Sequence, residues 1–438
     1  LYVSTDSPAP FSEVRIGTIR LWVVNLQRDE TGSGGWGPNL LYHGDPDGYR
    51  YVDQVGAARL DEVFAQSEQN GVYHKLTLFD KNDHLLNRFN ADGTVGDWDS
   101  TNDKFYTGAV SRWYQRAYAR YFVGRWSYST SLHSLELANE TNPWSQTSYD
   151  GNLSLASYVH TTSPRRVLMS GSFWHSFPAT QFWNNPEMDY ADKHWYANTV
   201  GQDCQPWGCE IISNLWRDSA AYVRECDQRF NTYRGLMAVT KPIVRGEGGV
   251  TVTGTEPQHP DVAREAQGIY YHKKVWAHLG TLGDSCDGEW YPRLFVSGGQ
   301  YPNATYNTEQ KYRSYEAFMQ GEPVNNGNYQ EIGTDLTGSQ QIVLAATPSA
   351  MRAWGVANRT SGRVLLWIDN ANHTWQNVVN AVPIASVSNT LTITDLAPGT
   401  YRAEWWDTVQ GTITRTETLS VAADRQLTFA VNNLSSDV

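Results

Sequence analysis

The sequence predicts an α/β chain in two parts, a parallel sheet surrounded by helices and then a small antiparallel β-sandwich. Three observations carry this. From about residue 14 to 320, short apolar runs alternate with longer helical patterns, as repeated strand–helix units of a parallel sheet do. After "GEPVNNGNYQEIGTD" (321–335) the chain becomes rich in β-branched residues and turn signals. Its length of 438 residues suits two or three domains.

The elements follow in order. "VRIGTIRLWVV" (14–24) predicts a strand. "YVDQVGAARLDEVFAQSEQNG" (51–71) predicts a helix with Val55, Ala58, Val63 and Phe64 inward, stopped by Asn-Gly. "VYHKLTLF" (72–79) is a strand. "KFYTGAVSRWYQRAYARYFVG" (104–124) is a helix with Phe105, Val110, Trp113, Ala117, Tyr121 and Phe122 along one side. Further strands are expected at 132–139, 165–172, 188–196, 241–247 and 283–291, and helices at about 213–236, 261–280 and 307–320.

That makes seven strands, one short of a closed (β/α)8 TIM barrel. "LYVS" (1–4) lies too near the next strand for a crossover helix between them, so the first strand and helix are missing or irregular. The barrel is expected over 1–325. The antiparallel β-sandwich is expected over 336–438, where "GRVLLWIDN", "NTLTITDL" and "TYRAEWWD" alternate apolar with polar residues. This domain should pack on the barrel and contribute no catalytic residue, and the aromatics of its "LLW" and "EWW" should be mostly buried.

Composition narrows the partners. The net charge is −12 and no basic run stands out, so nucleic acid is not expected. No stretch is long and apolar enough to span a bilayer, and no membrane partner is expected. There are 18 Trp and 25 Tyr. Such rings fill cores, but a flat face with a polar edge also suits sugars. The chain has neither an initiator Met nor a signal peptide, which reads as a mature or trimmed form. Cys204, Cys209, Cys226 and Cys286 show no zinc spacing. One or two disulfides, and hence a secreted protein, are preferred over four buried thiols. Cys204 and Cys209 could staple one loop, leaving Cys226 and Cys286 as a pair or as two thiols.

Two strands end in carboxylates. "LELANETN" (135–142) runs apolar into Asn139 and Glu140, and "KPIVRGEGGV" (241–250) runs into Glu247 among glycines. Catalytic groups of a barrel sit at the C-terminal ends of its strands. These two tips are three strands apart, so their carboxylates can face each other across the mouth. A pair about 5–5.5 Å apart is what a retaining glycosidase needs.

Asn-Glu ending strand four, with a second Glu ending strand seven, resembles the clan A (β/α)8 retaining glycoside hydrolases, most like family 5, with family 39 also similar. The resemblance covers about 14–320. It implies Glu140 as acid/base and Glu247 as nucleophile. "RLW" (20–22) matches the clan's strand-two arginine, implying that Arg20 hydrogen-bonds the nucleophile. "KHWY" (193–196) matches its strand-six His-x-Tyr, placing His194 near the acid/base and Tyr196 on the nucleophile. "EWY" (289–291) matches the strand-eight tryptophan, placing Trp290 under the sugar. The trailing sandwich resembles the small β-domain often attached after such barrels.

The residue chemistry agrees with these roles. Asn139 can hold a sugar 2-hydroxyl, a contact that strengthens as the oxocarbenium ion forms. Arg20 and Tyr196 would keep Glu247 ionised and aimed. Glu140 must hold its proton before bond cleavage, and a charged Glu247 nearby favours that. Trp36, Tyr42 and His43 lie in a long loop (25–50) and could contact substrate, and 80–100 is a second such loop.

The plainer alternatives are Glu247 as a turn carboxylate, His194 as a core histidine, Trp290 as core, and Glu289 as the functional member of its strand end. The expected activity is a polysaccharide- or oligosaccharide-cleaving retaining hydrolase, endo-acting rather than exo-acting because the aromatic loops suggest several subsites. No cofactor or metal is expected, and the protein should be a monomer or weak oligomer. A non-catalytic carbohydrate-binding barrel is the competing class. A metal-dependent hydrolase ranks last, because a paired His-x-His is absent near the first strand.

Overall fold

The computed structural model describes residues 18–22, 52–80, 106–140, 146–173, 180–199, 211–213, 215–237, 240–252, 259–282, 287–289 and 308–438. Seven parallel strand positions follow one another in chain order. They are β1 (Thr18–Trp22), β2 (Tyr73–Asp80), β3 (Leu132–Asn139), β4 (Leu168–Ser170) with β5 (Ser172–Phe173), β6 (Ala191–His194) with β7 (Tyr196–Asn198), β9 (Ile243–Gly248) with β10 (Val250–Thr251), and β11 (Asp287–Glu289). Each pairs with the next, β4 and β5 being halves of one strand broken at Gly171. A short strand, β8 (Ile211–Ser213), pairs with β7. All seven lie where the alternation of the sequence puts them. No further parallel strand pairing before β1 or beyond β11 is among the described residues. Parallel order sends every C-terminal end to one side of the sheet, so Asn139, His194 and Glu247 share that side.

Helices fill the crossovers: α1 (Gln54–Asn70), α2 (Ala109–Trp126), α3 (Gln146–Thr162), α4 (Thr180–Trp183), α5 (Ser219–Met237), α6 (Pro260–Arg264), α7 (Ile269–Ala277) and α8 (Thr308–Met319). Their caps are local. Asp53 accepts from the N–H groups of Val55 and Gly56 at 2.8 and 3.2 Å, and Gly71 closes α1 in the left-handed region at φ 66°.

Two helix faces differ from the sequence reading. In α1 the buried face is Ala57, Leu60, Phe64 and Ser67, while Val55 is exposed. In α2 it is Ser111, Gln115, Tyr118, Phe122 and Trp126, while Trp113 lies outside at 61% exposure. Both buried faces include polar side chains, Ser67 in α1 and Ser111 and Gln115 in α2, which a reading from hydrophobicity leaves out. The same effect hid α3. Its inner face includes Ser148 and Asn152. At Gly151 an added Cβ would meet the Cβ of Tyr106 at 2.8 Å, and the apolar part of the buried face, Leu155, Ala156 and Val159, spans only the second half of the helix.

Beyond α8 the chain is antiparallel. β12 (Gln330–Gly333), β14 (Met351–Asn358) and β15 (Arg363–Asn370) form one sheet. β13 (Ile342–Leu344), β16 (Val387–Ile393) and β19 (Leu427–Leu434) form another, and β17 (Gly399–Asp407) pairs with β18 (Thr412–Val421). A short helix, α9 (Trp375–Val379), follows β15.

These sheets share a core of their own around Ile342, Ile368, Leu391 and Val431. They also dock on the helices. Trp354, Trp367 and Trp375 belong to the larger core, and the indole N–H groups stitch the two parts. Trp354 donates to the Ala277 carbonyl at 3.0 Å, Trp375 to that of Trp216 at 3.0 Å, and Trp276 to that of Thr408 at 3.1 Å. Much of the tryptophan excess is therefore core and junction. Trp367 is fully buried as expected, but Trp405 and Trp406 are only half-buried and line a cavity.

Cys226 is buried in α5. Cys204, Cys209 and Cys286 lie outside the described residues, and so does the expected stapling of that loop. No helix among the described residues is long and apolar enough to cross a membrane.

Candidate active site

The tip of β3 is built by a turn that places a non-glycine residue at positive φ. Glu140 has φ 52°, a conformation that costs about 1 kcal/mol or more. The backbone is held there from the next strand position. The Glu140 N–H donates to Ser172 Oγ at 2.9 Å, and that hydroxyl in turn donates to Asn139 Oδ1 at 3.4 Å. The turn leaves the Glu140 side chain 8% exposed, against His194.

His194 ends β6 and Tyr196 begins β7, alternate residues of one strand position, so both face the same side. Trp195 between them points away and stacks on Phe230 at 4.6 Å. His194 is fully buried. Its Nδ1 lies 2.7 Å from Glu140 Oε1 and 3.3 Å from Glu247 Oε2. The Tyr196 hydroxyl donates to Glu247 Oε2 at 2.8 Å. Nδ1 therefore lies between the two glutamates, and Nε2 faces Asp192 Oδ1 at 3.9 Å. The ligand atoms of Glu140, His194 and Glu247 all lie within 4.8 Å of one another.

Glu247 stands between glycines for a packing reason. At Gly248 an added Cβ would meet the Tyr222 hydroxyl at 2.7 Å and the Trp195 carbonyl at 2.9 Å. At Gly246 it would overlap the carboxylate of Asp192. The Gly246 N–H donates to Asp192 Oδ1 at 2.9 Å.

Asp192 opens a second buried cluster below the first. Lys75 of β2 pairs with Asp192, and its Nζ is 3.1 Å from Glu136 Oε2 of β3. Thr77 donates to the same Glu136 oxygen at 2.9 Å. Close by, Tyr190 shares a hydrogen bond with Ser134 at 2.9 Å, and burial pushes its phenol up.

Either trio, Glu140–His194–Glu247 or Glu136–Asp192–His194, is compact enough to grip a cation. In the lower trio, however, Lys75 already occupies the space between the two carboxylates.

Of the residues singled out from sequence, Asn139, Glu140, His194, Tyr196 and Glu247 converge. Arg20 lies on β1 in register with Lys75, and its side chain is outside the described residues. Trp36, Trp290, the loop 25–50 and all of the loop 80–100 beyond Asp80 also fall outside. Ser172, Asp192, Lys75 and Glu136 were not foreseen. One signal was present for Asp192: "ADKHWY" places it two residues before His194 and four before Tyr196, on one strand face.

No protein-family profile and no curated protein matches the chain in sequence. Solved structures do share its fold. A family 5 glycoside hydrolase from Bacteroides vulgatus superposes with a TM-score of 0.53 at 12% identity, covering 98% of this chain and 83% of that one. A second protein from the same organism, crystallised as a candidate glycoside hydrolase, gives 0.55 at 12% identity over 100% and 75%. Another glycoside hydrolase gives 0.51 at 13% over 99% and 88%. The chain thus has the fold of glycoside hydrolase structures, including one of family 5.

Proposed function

We propose that the protein is a retaining O-glycosyl hydrolase of the clan A, family 5-like group, acting on a polysaccharide or oligosaccharide. The observation that carries this is the approach of the Glu140 and Glu247 oxygens to within 4.8 Å across His194, near the separation that suits double displacement. On this reading the seven parallel strands are part of a (β/α)8 barrel and the site is at its C-terminal mouth.

Glu247 attacks the anomeric carbon while Glu140 gives its proton to the departing oxygen, so the glycosidic bond breaks as the glycosyl ester forms. Glu140, now a carboxylate, then takes a proton from water. That water attacks the same carbon and releases Glu247. Tyr196 and His194 hold Glu247 and Glu140 in line, and Asn139 is suited to the 2-hydroxyl.

Azide separates the roles. Glu247→Ala is expected to abolish turnover of every substrate. Glu140→Ala should still cleave an aryl glycoside with a good leaving group and then stall, because no base activates water. Azide should rescue that variant, yielding a glycosyl azide of retained configuration. Retained-product rescue of Glu247→Ala instead would reverse the roles, and an inverted wild-type product would refute the nucleophile.

Endo action and secretion are the finer proposals. The first rests on the long aromatic loops and is tested by product sizes from a polysaccharide panel. Exo action would release only terminal sugar, and a binding protein would turn over nothing. The compact Glu140–His194–Glu247 trio also permits a metal-dependent hydrolase; on the glycosidase reading activity survives a chelator.

A further inference from the structure

The aim of Glu247 depends on an irregularity in β9. Along β6 and β9 the register runs Lys193 with Arg245 and then His194 with Glu247, so Gly246 is an extra residue, a β-bulge. A bulge re-aims the side chain that follows it and leaves a backbone N–H outside the ladder. Here that N–H is taken by Asp192 Oδ1 at 2.9 Å. The approach is so close that only glycine leaves room for the carboxylate.

The same Asp192 oxygen stands 3.9 Å from Nε2 of His194. That ring atom is buried and finds no hydrogen-bond partner among the described residues. The other Asp192 oxygen is tied to Lys75, whose ammonium also holds Glu136. Asp192, Glu136 and His194 are fully buried, and Lys75 nearly so. One carboxylate therefore meets both the backbone that aims Glu247 and the ring that bridges Glu247 to Glu140.

We propose that Asp192, anchored by Lys75, is the positioning residue of this site: it pins the Gly246 bulge and fixes the His194 ring, and through them sets the geometry of the two glutamates. It touches no substrate. A loss of geometry at the reacting carboxylates lowers the chemical step more than binding. Asp192→Asn keeps the shape and an acceptor for the Gly246 N–H, but loses the charge facing Lys75 and His194. Asp192→Ala loses both.

This proposal rests on the glycosidase reading for its rate readout, so the test has two arms. In the first, aryl glycoside kinetics are measured on the full chain. We expect kcat to fall at least ~30-fold in Asp192→Asn and further in Asp192→Ala, with KM within ~3-fold. In the second arm, ¹⁵N-histidine NMR follows the His194 ring nitrogens, which needs no substrate. Their signals should move in Asp192→Asn while the melting temperature and circular dichroism remain those of the folded protein. Unchanged kcat, a loss carried by KM, or unmoved His194 signals would overturn the positioning role. If Asp192→Asn fails to fold, Asp192→Glu is the second variant. It keeps the charge, and displacing the bulge should again lower kcat and move the His194 signals; wild-type values in both would overturn the role. Should the wild type turn over no glycoside, the glycosidase reading fails by itself, and the NMR arm still decides whether Asp192 governs His194.

Discussion

His74 offers a prediction whose size can be worked from the structure. It sits on β2 immediately before Lys75, fully buried, with its ring edge-on to Phe64 at 5.6 Å and Nε2 2.6 Å from Ser67 Oγ. Burial pushes its imidazole down from 6.5 to about 4. The folded state therefore keeps this ring neutral while the unfolded chain takes up a proton. Stability is complete above about pH 6.5 and is lost as pH falls towards about 4. The gap between the two values corresponds to about 3 kcal/mol, most of it already lost at about pH 4.5. The perturbation is His74→Phe, which keeps the ring volume and cannot titrate. The assay is urea unfolding of both proteins, followed by tryptophan fluorescence, at about pH 7 and about pH 4.5. His74→Phe is expected to be the less stable protein at neutral pH, because Ser67 loses its partner. Its deficit should shrink by about 2–3 kcal/mol at the lower pH, other acid-sensitive groups cancelling in the difference. A deficit constant to within about 0.5 kcal/mol would refute the reasoning, since it would mean that His74 gains its proton equally in both states.

Tyr196→Phe removes the 2.8 Å hydrogen bond to Glu247; a bond to a charged group contributes about 1.5–3 kcal/mol, so kcat/KM on an aryl glycoside should fall roughly 10- to 100-fold. A loss below ~3-fold would remove Tyr196 from the site. Asp437 should be critical to the docking of the antiparallel sheets. Burial pushes its carboxyl up, but His272, 2.6 Å away, and Lys273 outweigh this and hold it well below the usual carboxylate range. Asp437→Ala leaves His272 and Lys273 short of a buried counter-charge and should cost about 3–5 kcal/mol, read as a lowered thermal midpoint. In the wild type this contribution is present above the ordinary carboxylate range and lost only as pH falls through the depressed value.

The order of the parallel strands was legible in the sequence, and so were the two glutamates at their tips. Apolar alternation, Asn-Gly stops and the tip dipeptides are local signals, written within a few residues of the feature they specify. "KHWY" announced that His194 and Tyr196 share a strand face for the same reason. What the chain did not disclose lies between strands. Lys75 and Asp192 are 117 positions apart, and their pairing exists only because β2, β3 and β6 bring their inner faces together. The helix faces were misread because Ser111, Gln115, Ser148 and Asn152 are polar and yet buried, so hydrophobicity alone does not mark the inner face. The destination of the tryptophans was equally hidden, since a ring suited to a sugar is equally suited to a junction where its N–H finds a carbonyl. The bulge at Gly246 shows the division most directly. The sequence specifies a glycine before Glu247, but only the packed structure supplies the Asp192 carboxylate in the space where a side chain would be, and with it the direction in which Glu247 points.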